Sequence, residues 1–215
     1  MKIEQISVTK LLGVQIDSNL NWASQFESVC RKLSQRLGIL KRIRDLVPKE
    51  VAIRLFNALV LPHMDYCCTV WGRPSNRNFI DRVTKLQKRA ARIILQCKIS
   101  DYSSSQLFQM LKWMPFEERV SFKRCLLMYK CINGLTPVYL QTFRYMSQHH
   151  TYNTRSVSRN NVVPSRAKLS TVARCFRFEG ERLWNSLPVE MRTAKSPQDF
   201  KRMYCKNYFN KVVNV

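Results

Sequence analysis

Basic residues recur at helical spacing in the segment from residue 70 to residue 95, which opens with a Trp-Gly stop and a Pro-Ser-Asn turn before the helix. Drawn as a helix at about 100° per residue, the segment places these cations within an arc of roughly 120°: Arg82, Lys85, Lys88, Arg89 and Arg92. The opposite face is apolar and consists of Ile80, Val83, Ala90 and Ile94. Guanidinium and ammonium groups pair with phosphate oxygens. The spacing therefore predicts a helix that packs on protein with one face and offers the other to a polyanion.

Carboxylates that could support phosphoryl-transfer chemistry are few and scattered. Two-metal catalysis needs at least two of them converging on one site. Asp65, Asp81 and Asp101 are isolated in the sequence, and the glutamates at 117 and 118 are adjacent rather than spaced to face each other. The sequence also contains neither a Gly-x-x-x-x-Gly-Lys phosphate loop nor a Gly-x-Ser-x-Gly nucleophile motif. No catalytic residue is predicted.

Soft metal ligands occur together once, at His63, Cys67 and Cys68. His63 and Cys67 are four residues apart and could share a helix face, but a structural zinc site needs four ligands. Because no second Cys/His pair has ligand spacing, we expect these cysteines to pack as small apolar side chains and predict no metal site.

The net charge is strongly positive, with 37 Lys and Arg against 14 Asp and Glu, or +23. The segment from residue 119 to residue 178 has no acidic residue and eleven basic ones. A surface that is merely solvated mixes both signs, so this balance favours a nucleic-acid partner or an anionic membrane. No apolar run approaches the length of a membrane span. We therefore expect nucleic acid as the partner, with no membrane and no small-molecule substrate.

The composition predicts a mainly α fold, because the chain is 45% hydrophobic yet has only five glycines and eight prolines. Alternation over residues 3–17, with Gly13 allowing a bend, predicts a short N-terminal β-strand or hairpin. A multi-helix bundle should follow. Its first long helix begins near Asn19 and has a clear apolar stripe: Trp22, Phe26, Val29, Leu33, Leu37 and Leu40.

Further helices are predicted from Pro48 to about residue 70 with a kink at Pro62, over 116–133, over 136–146, over 171–184 and over 197–211. A long loop at 147–170 is polar and basic. The expected organisation is an edge-strand segment at 1–20, a helical bundle at 21–100 and a basic helical domain at 101–215, with a boundary near 99–115.

Two more groups of cations are candidate phosphate contacts. Lys32 and Arg36 belong to the first long helix, and the basic loop contributes Arg155, Arg159, Arg166 and Lys168. Aromatic residues of the C-terminal third could stack on bases, but those at helical spacing, such as Tyr204 and Tyr208, are expected in the core.

Several motifs resemble, in the same order, the region after the palm in reverse transcriptases of jockey-like and related non-LTR (LINE-type) retrotransposons. Residues 12–17 (LGVQID), with Leu20 and Trp22, resemble the segment that leaves the palm. Residues 36–42 (RLGILKR) resemble the first thumb helix, and residues 70–72 (VWG) the end of the next one.

The resemblance continues to the C-terminus and covers nearly the whole chain. Pro62, Asp65 and Tyr66 resemble positions of the second thumb helix, and residues 86–94 (LQKRAARII) the basic helix that follows. The C-terminal matches are Tyr129-Lys130, residues 153–155 (NTR), residues 183–188 (LWNSLP) and Phe200-Lys201.

This resemblance implies a thumb and C-terminal fragment of an RNA-directed DNA polymerase. In the family, aspartates of the palm hold catalytic Mg²⁺, and those positions have no counterpart in this sequence. The fragment is therefore expected to bind RNA, or an RNA–DNA or DNA duplex, without polymerising by itself and without a cofactor of its own. The fingers and palm would be its protein partner, and the zinc knuckle of some related elements is missing.

A rival interpretation is a helical protein-interaction or structural module with a basic face and no enzymatic role. Under either interpretation the eight cysteines, which include no Cys-x-x-Cys pair, are expected to be reduced. The expected location is intracellular, in the nucleus or cytoplasm, rather than secreted.

Overall fold

A computed structural model describes residues 6–146 and 160–213 and confirms the mainly α fold with a short N-terminal hairpin. Strands β1 (Val8–Leu11) and β2 (Val14–Asp17) are antiparallel, with Leu11 opposite Val14. Leu12 and Gly13 connect them with φ values of 46° and 85°. Two positive φ angles are typical of a type I′ turn, which matches the twist of the flanking strands.

The hairpin also starts the first helix, α1 (Ala23–Ile43). Asp17, at the end of β2, accepts hydrogen bonds from the backbone N–H of Asn21 at 3.0 Å and of Trp22 at 2.7 Å. A carboxylate at this position satisfies free N–H groups and favours the helix N-terminus. The predicted stripe is buried along α1 at Phe26, Val29, Leu33, Leu37 and Leu40. Its first predicted member, Trp22, instead lies just before the helix and is half-buried.

The prediction of one kinked helix from residue 48 to residue 70 is wrong, because this segment forms α2 (Lys49–Leu59), α3 (Leu61–Asp65) and α4 (Cys68–Trp71). Pro62 stands in the first turn of α3, where its missing N–H is harmless. Cys67, with φ of 50°, separates α3 from α4. The chain therefore turns twice where the sequence predicts only a bend.

Helices α5 (Arg77–Leu95) and α7 (Phe116–Ile132) lie close to the segments that the sequence predicts as helical. The short helix α6 (Ser104–Leu111) lies between them. A capping box between Ser103 and Gln106 starts α6. Both α5 and α6 end at a left-handed residue, Gln96 and Lys112, each with φ of 52°.

The chain divides into two compact units between Val120 and Ser121. This boundary lies within α7, beyond the segment 99–115 where the sequence predicts it. An aromatic cluster lies in the core of the first unit. The ring of Phe26 lies 5.1 Å from that of Trp71, 5.2 Å from that of Phe79 and 6.3 Å from that of Phe116. These contacts join α1, α4, α5 and α7.

The second unit contains α8 (Ser170–Ala173), α9 (Phe176–Ser186), α10 (Val189–Arg192) and α11 (Pro197–Val213). Its core includes the buried rings of Tyr129, Trp184 and Phe200. The predicted helix over 136–146 is wrong, since only a 3₁₀ turn at Val138–Leu140 forms there. The predicted 171–184 helix is split between α8 and α9.

Within 6–146 and 160–213, no helix has the length and apolar character needed to cross a membrane.

Candidate nucleic-acid interface

Helix α5 carries the cations predicted to bind phosphate, and its N-terminal end is held by polar contacts. The Asn76 side chain accepts a hydrogen bond from the N–H of Asn78 at 3.0 Å. Glu117 of α7 pairs with Arg73 at 2.9 Å and with Arg77 at 2.8 Å. These contacts fix where the helix begins.

The middle and C-terminal end of α5 are held by side-chain bonds to backbone carbonyls. Buried Gln87 donates from Nε2 to the carbonyl of Met114 at 2.8 Å, and Arg44 donates from Nε to the carbonyl of Ile94 at 2.8 Å. The predicted packing face, Ile80, Val83, Ala90 and Ile94, is buried throughout. Because that face is fixed, the orientation of the opposite face is fixed as well.

That opposite face, which we call the α5 strip, consists of Arg82, Lys85, Lys88, Arg89 and Arg92. Arg82, Lys85 and Arg89 are exposed, and the other two are half-buried. The same arc contains Asp81, also exposed, so the strip is not purely cationic. Sequence reasoning missed that carboxylate, although its position follows from the same helical spacing.

Within the described residues, the cations of the strip differ from Arg44, Arg73, Arg77 and Arg119, which have hydrogen-bond or ion-pair partners. Across the described residues, none of its five cations forms an ion pair or side-chain hydrogen bond. Arg119, by contrast, forms a two-bond pair with Asp65 at 2.5 and 2.6 Å. Charges without a partner are available to an external anion.

Lys32 and Arg36 lie on a different flank of α1 from the strip. Lys41 of α1 lies beside Arg89 and Arg92 of α5, and Lys32 precedes it by nine residues, a rotation of about 180°. The positive charges of Lys32 and Arg36 instead lower the pKa of His63, which lies in α3. The structure therefore separates these two cations from the α5 strip.

The pKa of His63 depends on the positions of Lys32 and Arg36. Burial lowers the pKa of His63 below its ordinary value, and the charges of Lys32 and Arg36 lower the pKa further. We expect the double variant Lys32→Gln, Arg36→Gln to raise the pKa of His63 without restoring the ordinary value, since burial is the larger cause. Nuclear magnetic resonance titration of the imidazole Cε1–H measures it.

Arg31→Gln is the matched control, because Arg31 is exposed next to Lys32 and is not among the causes of the shift. A lowered folded-state pKa also fixes the sign of the pH effect on stability. The contribution of His63 to the free energy of unfolding is fully present above its unfolded pKa of about 6.5. It is lost as the pH falls through that value toward the folded pKa. An equal response to Arg31→Gln would contradict the placement of Lys32 and Arg36.

A basic pocket that the sequence did not predict lies where the C-terminal ends of α1 and α5 meet. Its volume is about 340 Å³. Its lining comprises Lys41, Arg44, Asp45, Arg89, Arg92, Ile93, Gln96 and Cys97. Only the pairing of α1 with α5 brings Lys41 and Arg44 next to two cations of the strip, so no local pattern could have revealed the pocket.

In the second unit, Arg166 and Lys168 are exposed on a segment that buried groups hold in place. Glu181, which is 3% exposed, accepts from the backbone N–H of Ser165 at 2.6 Å and from its hydroxyl at 2.9 Å. Val162, just before, exchanges two hydrogen bonds with the Asn185 side chain at 2.9 and 3.0 Å. Arg155 and Arg159 lie outside the described residues.

Three carboxylates of the first unit serve the fold in this structure. Asp17 accepts from backbone N–H groups just before α1, Asp65 pairs with Arg119, and Glu117 pairs with two arginines. Within the described ranges, no three His, Cys, Asp or Glu side chains come together as a metal site would require. His63, Cys67 and Cys68 do not meet a further ligand there.

The aromatic rings considered for base stacking include several that lie in the second core. Trp184 is buried and stacks on Phe200 at 6.4 Å, and Tyr204 contacts Phe122 at 5.1 Å. Tyr204 is half-buried and packs against the second core, so the expectation from its helical spacing holds in part.

The chain matches no known protein-family model, no curated protein and no solved structure.

Proposed function

We propose that this chain binds the phosphate backbone of RNA, or of an RNA–DNA or DNA duplex, through the α5 strip. In this proposal it is the thumb-like and C-terminal part of a non-LTR retrotransposon reverse transcriptase and does not polymerise by itself. The observation that supports it is the α5 strip, whose cations lack partners in the described residues on a helix fixed by its packing.

The dimensions of the strip suit a polynucleotide. Arg82 and Arg92 are ten residues apart, which is about 15 Å along a helix. One strand of a duplex carries a phosphate about every 3.4 Å of axis, so the strip can meet several successive phosphates. Contacts of this kind set position rather than sequence preference.

The proposal assigns no catalytic step to the chain. Phosphoryl transfer with two metals needs convergent carboxylates, and Asp17, Asp65 and Glu117 are each engaged in backbone hydrogen bonds or ion pairs. The Mg²⁺ of the full-length family enzyme would belong to the palm, and the fingers–palm region would be the protein partner. The site of action would be the nucleus or the cytoplasm.

Salt dependence is the direct test. Five phosphate contacts predict a log–log slope of about −4.5, so the affinity for a labelled RNA–DNA duplex should fall by roughly two to three orders of magnitude between about 50 and about 200 mM salt. Fluorescence anisotropy of the wild-type chain measures the slope. Equal affinity at the two salt concentrations would refute the proposal, and Mg²⁺-dependent primer extension would refute its non-catalytic part.

A further inference from the structure

The pocket between the ends of α1 and α5 concentrates positive charge in a concave site. Lys41 and Arg44 come from the end of α1 and the turn after it, and Arg89 and Arg92 come from the last turns of α5. Asp45 is the one acidic residue of the lining, so the local balance is strongly positive. The volume of about 340 Å³ is at the lower end of the range for small-molecule sites.

Part of this lining is committed to holding the walls together. Arg44 donates to the carbonyls of Ile94 at 2.8 Å and of Val47 at 2.9 Å. Gln96 donates from Nε2 to Asp45 Oδ1 at 2.7 Å. These bonds join the turn after α1 to the end of α5, and they make the pocket a preformed feature of the first unit.

The remaining cations face the pocket without partners. Lys41, Arg89 and Arg92 have neither an ion pair nor a side-chain hydrogen bond within the described residues. The Nε of Arg92 is buried and has no hydrogen-bond partner there. A buried donor left without a partner is destabilising.

Cations near a helix C-terminus interact favourably with the helix dipole. This interaction is an alternative reason for the cations of the pocket, one that needs no ligand. In this pocket, however, the end of α5 is already capped. Arg44 binds the Ile94 carbonyl, and the backbone N–H of Gln96 binds those of Arg92 and Ile93. Lys41 and Arg89 make no bond to these carbonyls.

We propose that this pocket binds a phosphate monoester, through Lys41, Arg89 and Arg92. A monoester carries a charge of about −1.5 to −2 at neutral pH, against −1 for an internal phosphodiester, and has three strong acceptor oxygens. It therefore balances the three cations that line this pocket better than a backbone phosphate does. Its source is either the 5′-terminal phosphate of a nucleic-acid strand, which rests on the function proposed above, or the phosphate of a free nucleotide.

Lys41→Ala and Arg42→Ala form a matched pair for the test. Both side chains are exposed at the end of α1 and each variant loses one positive charge, but only Lys41 lines the pocket. The wild-type chain should bind a duplex with a 5′-phosphate about tenfold more tightly than the same duplex with a 5′-hydroxyl. Lys41→Ala should reduce this preference to less than about twofold, and Arg42→Ala should retain it.

Cys97 supplies a second measurement that does not depend on nucleic-acid binding. It lines the pocket as a free thiol, whereas Cys67 is an exposed thiol elsewhere in the first unit. Alkylation followed by mass spectrometry should show Cys97 protected severalfold by a nucleoside monophosphate or by the 5′-phosphorylated strand, with the rate at Cys67 unchanged. Protection by the 5′-phosphorylated strand that is lost with the 5′-hydroxyl strand identifies the strand end as the ligand, and protection by the nucleoside monophosphate alone identifies the free nucleotide.

The two proposals fail separately. If both duplexes bind equally well and Cys97 is not protected, the pocket is not a monoester site, although the α5 strip still binds nucleic acid. If neither duplex binds but a nucleoside monophosphate protects Cys97, the proposed function fails and the pocket stands. An equal loss of preference in Lys41→Ala and Arg42→Ala would show a general charge effect and overturn the pocket proposal.

Discussion

Replacing Arg82, Lys85 and Arg89 together by glutamine should weaken duplex binding on the order of a hundredfold or more at about 0.1 M salt and reduce the salt slope by about 2.7. These three are the exposed cations of the α5 strip. If each contacts one phosphate, its removal eliminates one counterion-release contribution to the affinity. Fluorescence anisotropy over a salt series measures both quantities.

The triple variant should fold as well as the wild type. Its three cations have no ion-pair partner among the residues described, and like charges on one helix repel each other. A melting temperature equal to or above that of the wild type would separate lost binding from lost structure.

The control variant Lys10→Gln, Arg31→Gln, Arg54→Gln removes the same charge from β1, α1 and α2, where all three side chains are exposed. It should change the slope far less than the strip variant. If both variants lose affinity equally, net charge rather than the α5 strip accounts for binding, and the assigned interface is wrong.

Trp71→Ala should destabilise the first unit by about 3–5 kcal/mol, the usual cost of emptying a large aromatic site. Trp71 is fully buried at the end of α4, 5.1 Å from the ring of Phe26 and 5.7 Å from that of Phe116. Its Nε1 donates to the carbonyl of Tyr66 at 2.8 Å. Because the cluster joins α1, α4, α5 and α7, its loss should loosen the support of the α5 strip as well.

Hydrogen exchange at the amides of α1, followed through a urea series, measures this loss within the first unit alone. Val70→Ala is the neighbouring control, since Val70 is 52% exposed and its truncation should cost less than about 0.5 kcal/mol. Similar urea midpoints for the two variants would show that the aromatic cluster does not hold the unit together.

Features with a repeating signal were predictable from the sequence. The stripe of α1 and the two faces of α5 depend only on helical spacing, and the structure buries Phe26, Leu33, Val83 and Ile94 as that spacing requires. The hairpin turn at Gly13 followed from alternation and a residue that permits positive φ. The sequence alone therefore predicts which face of α5 forms the candidate interface.

Features decided by tertiary contacts were not predictable in this way. Cys67 adopts a left-handed conformation that no intrinsic preference favours, and it directly precedes α4 where the sequence predicts a continuous helix. The basic pocket depends on Lys41 and Arg89, 48 residues apart in sequence. The separation of Lys32 from the strip depends likewise on which flank of α1 meets α5.

The left-handed residues at the ends of α5 and α6 have a consequence for the unfolded chain. Gln96 and Lys112 occupy positions where glycine is the usual residue, and each such conformation costs a side chain about 1–2 kcal/mol. A glycine there would relieve that strain but would widen the unfolded ensemble, at a cost of about 0.4–1 kcal/mol. The two effects partly cancel. With only five glycines in 215 residues, this chain begins folding from a comparatively narrow set of backbone conformations and loses correspondingly less entropy when its helices form.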